Sequence, residues 1–251
     1  MIGNLFYEKI SDIGSVREKN QDDCLIKHLK TEGYEVFIAA VADGVGSFNQ
    51  SELASAYITK SIGDWAEGIG AKSFWNMSLE SIEEALYDEV KSIHEQLIAI
   101  AQKSSLSYGS TLTLLLIVEN SYIVIQVGDS RCYLLQDQNI RQITRDQTLA
   151  ERMRQLGEGD STGKKEESTL LQCIGQGEMQ PSIYDGILSD GFQFLLCTDG
   201  LSNSLGHKEL FKELTAAKPE KAKLEDLFNK ARQNGEDDNI TAILIRQNAL
   251  R

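Results

Sequence analysis

Proline is almost missing from this chain, at 2 of 251 residues, which excludes collagen-like and proline-rich linker architectures. Long hydrophobic runs are missing too. The longest, Leu112 to Val118, falls far short of the ~18 residues that cross a bilayer. Met1 to Gly14 carries Glu8, Lys9 and Asp12 and has no apolar core, so no secretory leader is expected. Basic residues are scarce: 25 Lys and Arg stand against 38 Asp and Glu, a formal charge of −13. Such a surface repels phosphate backbones and anionic lipid, so neither nucleic acid nor a membrane is expected as a partner. Cys24, Cys132, Cys173 and Cys197 include no C-x-x-C pair, which argues against a disulfide framework and a zinc knuckle and favours a reducing cytoplasm. His28, His94 and His207 show no H-E-x-x-H spacing, so a zinc hydrolase is not expected. Gly163-Lys164-Lys165 lacks both the first glycine and the Ser or Thr of a phosphate-binding loop. Gly128-Asp129-Ser130-Arg131-Cys132 lacks the closing glycine of a nucleophile elbow.

What is present is ordinary globular material, 41% hydrophobic and 25% charged. The length fits one domain over 1–251, and no stretch of linker composition divides it. Glu35 to Ala42 is a continuous apolar run, as in a strand buried on both faces. Helical periodicity follows over Ser51 to Gly68 and again over Ser78 to Lys103, where Leu79, Ile82, Leu86, Val90, Ile93, Leu97 and Ile100 recur every three or four residues. Thr111 to Val118, Tyr122 to Val127, Arg131 to Gln136 and Asn139 to Ile143 read as short strands of an antiparallel meander. Gln147 to Leu156 reads as helix, and Glu158 to Ser168 as a polar surface excursion. Strands resume at Ser182 to Ile187, Phe192 to Cys197 and Ile240 to Arg246, with helices over Lys208 to Ala216 and Pro219 to Asn234. Strands in runs with helices inserted in pairs predict a layered α+β fold.

Three strand-like runs end in an acid: Ala39 to Ala42 at Asp43-Gly44, Ile123 to Val127 at Gly128-Asp129, and Phe194 to Thr198 at Asp199-Gly200. Asp238 stands just before the last strand. Each alone reads as a turn. As a set, their strand ends can converge, and close carboxylates persist only with protons or cations between them. Oxygen ligands suit Mg2+ or Mn2+. A further acidic stretch, Gly14 to Asp23, contains Arg17 and Asp22, and on spacing alone it reads as an exposed charged turn.

These blocks, in this order, resemble the metal-dependent serine/threonine protein phosphatases of the type-2C family, in their compact bacterial form. The matching residues are Gly14 to Asp22, Ala42 to Gly46, Gly109 to Thr111, Val127 to Arg131 with Tyr133, Ile143 to Asp146, Leu196 to Leu201 and Asp238 to Thr241. The resemblance implies a four-layer α-β-β-α sandwich of two antiparallel sheets flanked by helix pairs. It implies a centre of two Mn2+ or Mg2+ ions, with a third in many bacterial members. Asp43 and the Gly44 carbonyl would hold the pair, Asp199 and Asp238 would complete the ligands of the first ion, and Asp22 would serve the second, partly through water. Asp129 with Asp199 would hold the third, and Arg17 would take the substrate phosphate. The implied reaction is direct attack of a metal-bridging hydroxide on phosphoserine or phosphothreonine in protein substrates, opposite a cognate serine/threonine kinase. A mobile flap is implied at about 147–180.

The chain departs from the pattern at Val45, where many eukaryotic members have His, at Ser47, where a second glycine is usual, and at Gln147, where His is usual. No implied metal ligand is lost. Two other readings stand beside this one: a non-catalytic sensor or binding module on the same fold, and a phosphatase of small metabolites. Loss of a ligand would mark the first, and a substrate panel separates the second.

Overall fold

The computed structural model describes residues 4–46, 48, 50–104, 106–157, 166 and 168–248. Among the described residues, ten strands form two five-stranded antiparallel sheets. In sheet I, β1 (Leu5–Asp12), β10 (Ile240–Gln247), β9 (Gln193–Cys197), β6 (Arg131–Gln136) and β7 (Asn139–Gln142) lie in that order. Sheet II runs β2 (Asp22–Thr31), β3 (Tyr34–Asp43), β4 (Leu112–Val118), β5 (Ser121–Val127) and β8 (Ser182–Ile187). Helices α1 (Ser51–Ile69), α2 (Ala71–Asn76) and α3 (Leu79–Ser104) are inserted between β3 and β4. A short α4 (Leu149–Gln155) follows β7, and α5 (Asp199–Ser202), α6 (His207–Leu214) and α7 (Glu220–Gln233) lie between β9 and β10.

Because successive side chains face opposite sides and both sides are covered, the central strands β3, β4, β5, β9 and β10 read as near-continuous apolar runs. Along β3, Val36, Ile38 and Ala40 pack with Ile58, Ile62, Leu86 and Ile93 of α1 and α3. Their neighbours Phe37, Ala39 and Val41 face the other way, into a layer shared with Leu134, Phe194, Leu196, Ile243 and Ile245 of sheet I. Sheet I repeats the arrangement, with Leu195, Ala242 and Leu244 against Leu210, Leu224, Leu227 and Phe228 of α6 and α7. The result is the four-layer α-β-β-α sandwich.

The meander expected over 111–143 is corrected. β4 pairs with β5 and β6 with β7, but β5 and β6 belong to different sheets. The Gly128–Ser130 turn carries the chain across the sandwich. Periodicity identifies strands and is silent about partners. Among the described residues, no helix is long and apolar enough to cross a membrane. Most of the excursion at Glu158 to Ser168, namely 158–165 and 167, lies outside the described residues.

Candidate functional site

The layer between the sheets is apolar along most of its length and turns polar at one end. The same alternation that buries Phe37, Ala39 and Val41 puts Asp43 on that face, where β3 stops. Asp22 opens β2 directly opposite Asp43 in the antiparallel register. Thr111, Thr113, Thr198 and Thr241 lie on the inward-facing positions of their chain segments. Asp199 begins α5 two residues after the end of β9, and Asp238 stands two residues before β10. Asp129 sits in the turn between the sheets.

Each acid is held by a specific neighbour. The Thr198 hydroxyl donates to Asp22 Oδ2 at 2.9 Å, and the Asp22 amide donates to Asn20 Oδ1 at 3.1 Å. The Asp43 amide donates to Thr111 Oγ1 at 3.0 Å, while the Thr111 amide donates to the Asp43 carbonyl at 2.8 Å. Thr111 Oγ1 lies 2.8 Å from Ser130 Oγ, so the hydroxyl that fixes Asp43 also ties the Asp129 turn. Gly44 is clasped between two segments: its amide donates to the Gln21 carbonyl at 3.0 Å, and a Cβ there would fall 2.6 Å from the Ser51 carbonyl oxygen. Only glycine allows that approach. Asn239 stitches the Arg17 loop to sheet I. Its Nδ2 donates to the Ile13 and Lys19 carbonyls at 2.8 and 3.0 Å, and its Oδ1 accepts from the Gln21 amide at 2.8 Å.

The electrostatics follow from this crowding. Burial pushes Asp22 up to about 7, the Thr241 and Thr198 hydroxyls oppose the rise, and the charges of Asp199 and Asp238 add to it. Asp43 is raised well above the ordinary carboxylate range, first by burial and then by Asp22, Asp199 and Asp129. Burial likewise raises Asp129 and Asp199. The charge of Asp199 adds to the rise at Asp43, as close carboxyls do. The structure thus brings Asp22, Asp43, Asp199 and Asp238 together, with Asp129 in electrostatic reach. Arg17 joins them: its Nη2 donates to Asp238 Oδ2 at 2.6 Å, which keeps a half-exposed cation over the cluster. Among the described residues, no three His, Cys, Asp or Glu side chains are disposed as a ready metal cage. The carboxyls instead engage one another, the threonine hydroxyls and Arg17.

Several contributors have no role assigned by the sequence. Thr198, Thr241, Thr111 and Ser130 orient the acids, and Asn239 fixes the loop. Arg131 makes a two-pronged pair with Asp146, Nε to Oδ1 at 2.9 Å and Nη2 to Oδ2 at 2.6 Å, beside the Asp129 turn. Gln147 clamps that turn twice. Its Oε1 accepts from the Gly128 amide at 2.6 Å, and its own amide donates to the Gly128 carbonyl at 3.0 Å. On its other side the Leu171 amide donates to the Gln147 carbonyl at 2.8 Å, and Gln172 Nε2 donates to Gln147 Oε1 at 2.8 Å.

Comparison with known proteins agrees with this architecture. The serine/threonine phosphatase stp of Listeria welshimeri is 27% identical over 247 residues, covering 96% of this chain and 95% of that protein. The structure of the serine/threonine phosphatase Stp1 from Staphylococcus aureus superposes with a TM-score of 0.85 at 24% identity, over 99% of this chain and 96% of that one. The catalytic domain of the phosphatase PstP, solved in complex with 2 manganese ions, superposes with a TM-score of 0.79 at 23% identity, over 97% and 98% of the two chains. The model of the family described as protein phosphatase 2C matches residues 15–244, nearly the whole chain. This chain therefore belongs to the protein phosphatase 2C family.

Proposed function

We propose that this protein phosphatase hydrolyses phosphoserine and phosphothreonine esters of proteins at the acidic end of the inter-sheet layer. On this reading Asp43, the Gly44 carbonyl, Asp22, Asp199 and Asp238 hold two Mn2+ or Mg2+ ions, and Asp129 with Asp199 holds a third. The observation that carries it is the meeting of carboxyls from separate stretches of chain where burial raises their pKa values. Protons or cations must neutralise such a cluster, and its donors are all oxygen, as hard divalent ions require. Ions held there would supply Lewis acidity, lowering the pKa of a held water toward about 7 and offsetting charge on phosphoryl oxygens.

The chain's own residues do the rest. The Thr198 and Thr241 hydroxyls orient Asp22, and Thr111 fixes Asp43 through its backbone. Asp238, paired here with Arg17, would be the ligand of a cation, and Arg17 would then offer its planar guanidinium to two phosphate oxygens. Val45 carries no titratable group, so a proton for the departing alkoxide has to come from elsewhere. We further propose one domain over the whole chain with a flap at about 147–180. The four unpaired cysteines suit a cytoplasmic home, and a serine/threonine kinase would be the opposing activity.

The test is phosphate release from a phosphothreonine peptide with and without Mn2+, run beside Asp199→Asn. The expected result is metal-dependent turnover by the native protein and loss of at least two orders of magnitude in the variant. No turnover with saturating metal removes the enzyme reading. Equal turnover by the variant removes the site assignment.

A further inference from the structure

Beside the acid cluster lies a cleft of about 470 Å3 that the phosphate chemistry does not use. One wall is the turn bearing Val45 and Phe48; the other is the segment bearing Leu170, Leu171, Cys173 and Gln176. We propose that this cleft is a specificity subsite, which takes a large apolar side chain next to the phosphoresidue of a protein substrate.

Both walls are anchored on the same short stretch, Gly109–Ser110. The Val45 amide donates to the Gly109 carbonyl at 2.9 Å. On the far side Ser110 and Ile174 exchange two backbone hydrogen bonds, at 3.2 and 2.8 Å. The Ser51 hydroxyl donates to the carbonyls of both Val45 and Phe48, fixing the turn to the start of α1. A Cβ at position 109 would fall 2.4 Å from two ring carbons of Phe48, so glycine there is what lets the ring settle against the strand. These contacts make the cleft a formed feature of the fold.

Its chemistry selects the occupant. Among the described lining residues only Glu178 is charged; Val45, Phe48, Leu170 and Leu171 give apolar surface, and Ser168, Thr169, Gln172 and Gln176 are neutral polar groups among them. Leu171 is 48% exposed, one of the few large apolar side chains so open to solvent. Burial pushes the Cys173 thiol up to about 11, so it lines the wall as a neutral group. Position selects the source. Val45 directly follows Gly44, so the cleft begins one residue from the site that receives the phosphoester. An extended substrate rises about 3.3 Å per residue, which brings the side chains flanking the phosphoresidue over this opening. The volume lies in the lower half of the ~300–1,000 Å3 of ligand sites and suits one or two side chains, not a folded partner.

This inference rests on the phosphatase reading, and the experiment separates the two. With Mn2+ present, kcat/KM is measured for phosphothreonine peptides carrying Leu, Phe, Ser, Asp or Lys at each flanking position, and for p-nitrophenyl phosphate, which has no flanks. The expected preference for Leu or Phe over Ser or Asp is about tenfold at one position. Leu171→Asp should cut that preference at least fivefold and raise turnover of the Lys-flanked peptide, while leaving p-nitrophenyl phosphate within twofold of native. Phe48→Ala should weaken the preference with the same small-substrate control. Native protein that hydrolyses p-nitrophenyl phosphate yet treats all peptides alike, or a preference unchanged in Leu171→Asp, overturns the subsite alone. Native protein that hydrolyses neither class of substrate overturns the function and the subsite with it.

Discussion

Taking the metal away turns the buried acids into a pH-dependent weakness whose size follows from Asp22. This carboxyl is 8% exposed and its pKa lies at about 7, against 3.8 in the unfolded chain. The folded state therefore holds the proton more tightly than the unfolded state does. The stability this contributes is complete below about pH 3.8, falls as pH rises, and is gone above about 7. At about 1.4 kcal/mol per pH unit the whole interval is worth about 4 kcal/mol, of which about 3 fall between pH 4.5 and 7. That is a large share of the ~5–15 kcal/mol that holds a domain folded.

Asp43, Asp129 and Asp199 are raised by the same burial and act in the same direction, in native protein and variant alike; other groups bend the curve elsewhere. Asp12, Glu35, Glu52 and Glu220 have lowered pKa values, so their stabilisation is lost only as pH falls below their ordinary values of 3.8 to 4.5. Burial pulls His28 and His94 below 6.5, and they act against the trend up to about that pH. Asp22→Asn isolates the acid, because asparagine mimics the protonated form and does not titrate. Urea unfolding in chelator at pH 4.5, 5.5, 6.5 and 7.5 should show native protein losing about 3 kcal/mol relative to the variant across that range. Saturating Mn2+ should abolish the relative loss, since cations favour the ionised carboxyl. Parallel curves for native and variant in chelator would refute the claim that burial and like charge dominate at this site.

Arg17→Ala should lower kcat/KM for a phosphopeptide by about 10- to 100-fold, the worth of a charge-assisted clamp. Mn2+ binding followed by calorimetry should be unweakened because Asp238 loses a competitor, so undiminished kcat/KM would remove the phosphate role. Asp146→Ala strands the Arg131 guanidinium, whose side chain is 21% exposed, and should cost about 3 kcal/mol in urea unfolding. The double variant Arg131→Met/Asp146→Leu should recover most of that loss. Gln147→Ala should speed amide hydrogen exchange at Gly128 and Leu171 together, and change at one alone would show that the double clamp does not couple them.

Legibility in the sequence depended on burial. β3, β4, β5, β9 and β10 are apolar on both faces, so their runs are unmistakable. β1 gives no such signal. It is an edge strand with mostly exposed residues, including Glu8 and Lys9, and no strand is expected there from pattern alone. β2 is intermediate, with Lys27, His28 and Lys30 interrupting the apolar alternation. The two short helices α2 and α5 are one or two turns long, below the window in which period 3.6 can be recognised. Partnership fared worst, since the sheet change at Gly128–Ser130 rests on contacts remote in sequence.

The acids were conspicuous because a carboxyl at the end of an apolar strand is an anomaly, and anomalies repeat. The hydroxyls that aim them are not anomalous: threonine is a good strand former anywhere. What marks Thr111, Thr113, Thr198 and Thr241 is position, an inward-facing place in an otherwise apolar alternation, just short of the acid-bearing end. A sandwich with both faces of each sheet covered has one region where inward side chains can leave hydrocarbon, the open end of the shared layer. Threonine there satisfies the backbone preference of the strand and supplies a hydroxyl to the neighbouring carboxyl, as Thr198 does for Asp22 at 2.9 Å. The period-two pattern of the core therefore runs on into the polar end, to an acid on β2 and β3 (Asp22, Asp43) and to a hydroxyl at the ends of β4, β9 and β10 (Thr111, Thr198, Thr241), with Asp199 and Asp238 supplied by the adjoining turns. This makes the site a continuation of the strands, so a substitution at an inward threonine should disturb the acids before it disturbs the fold.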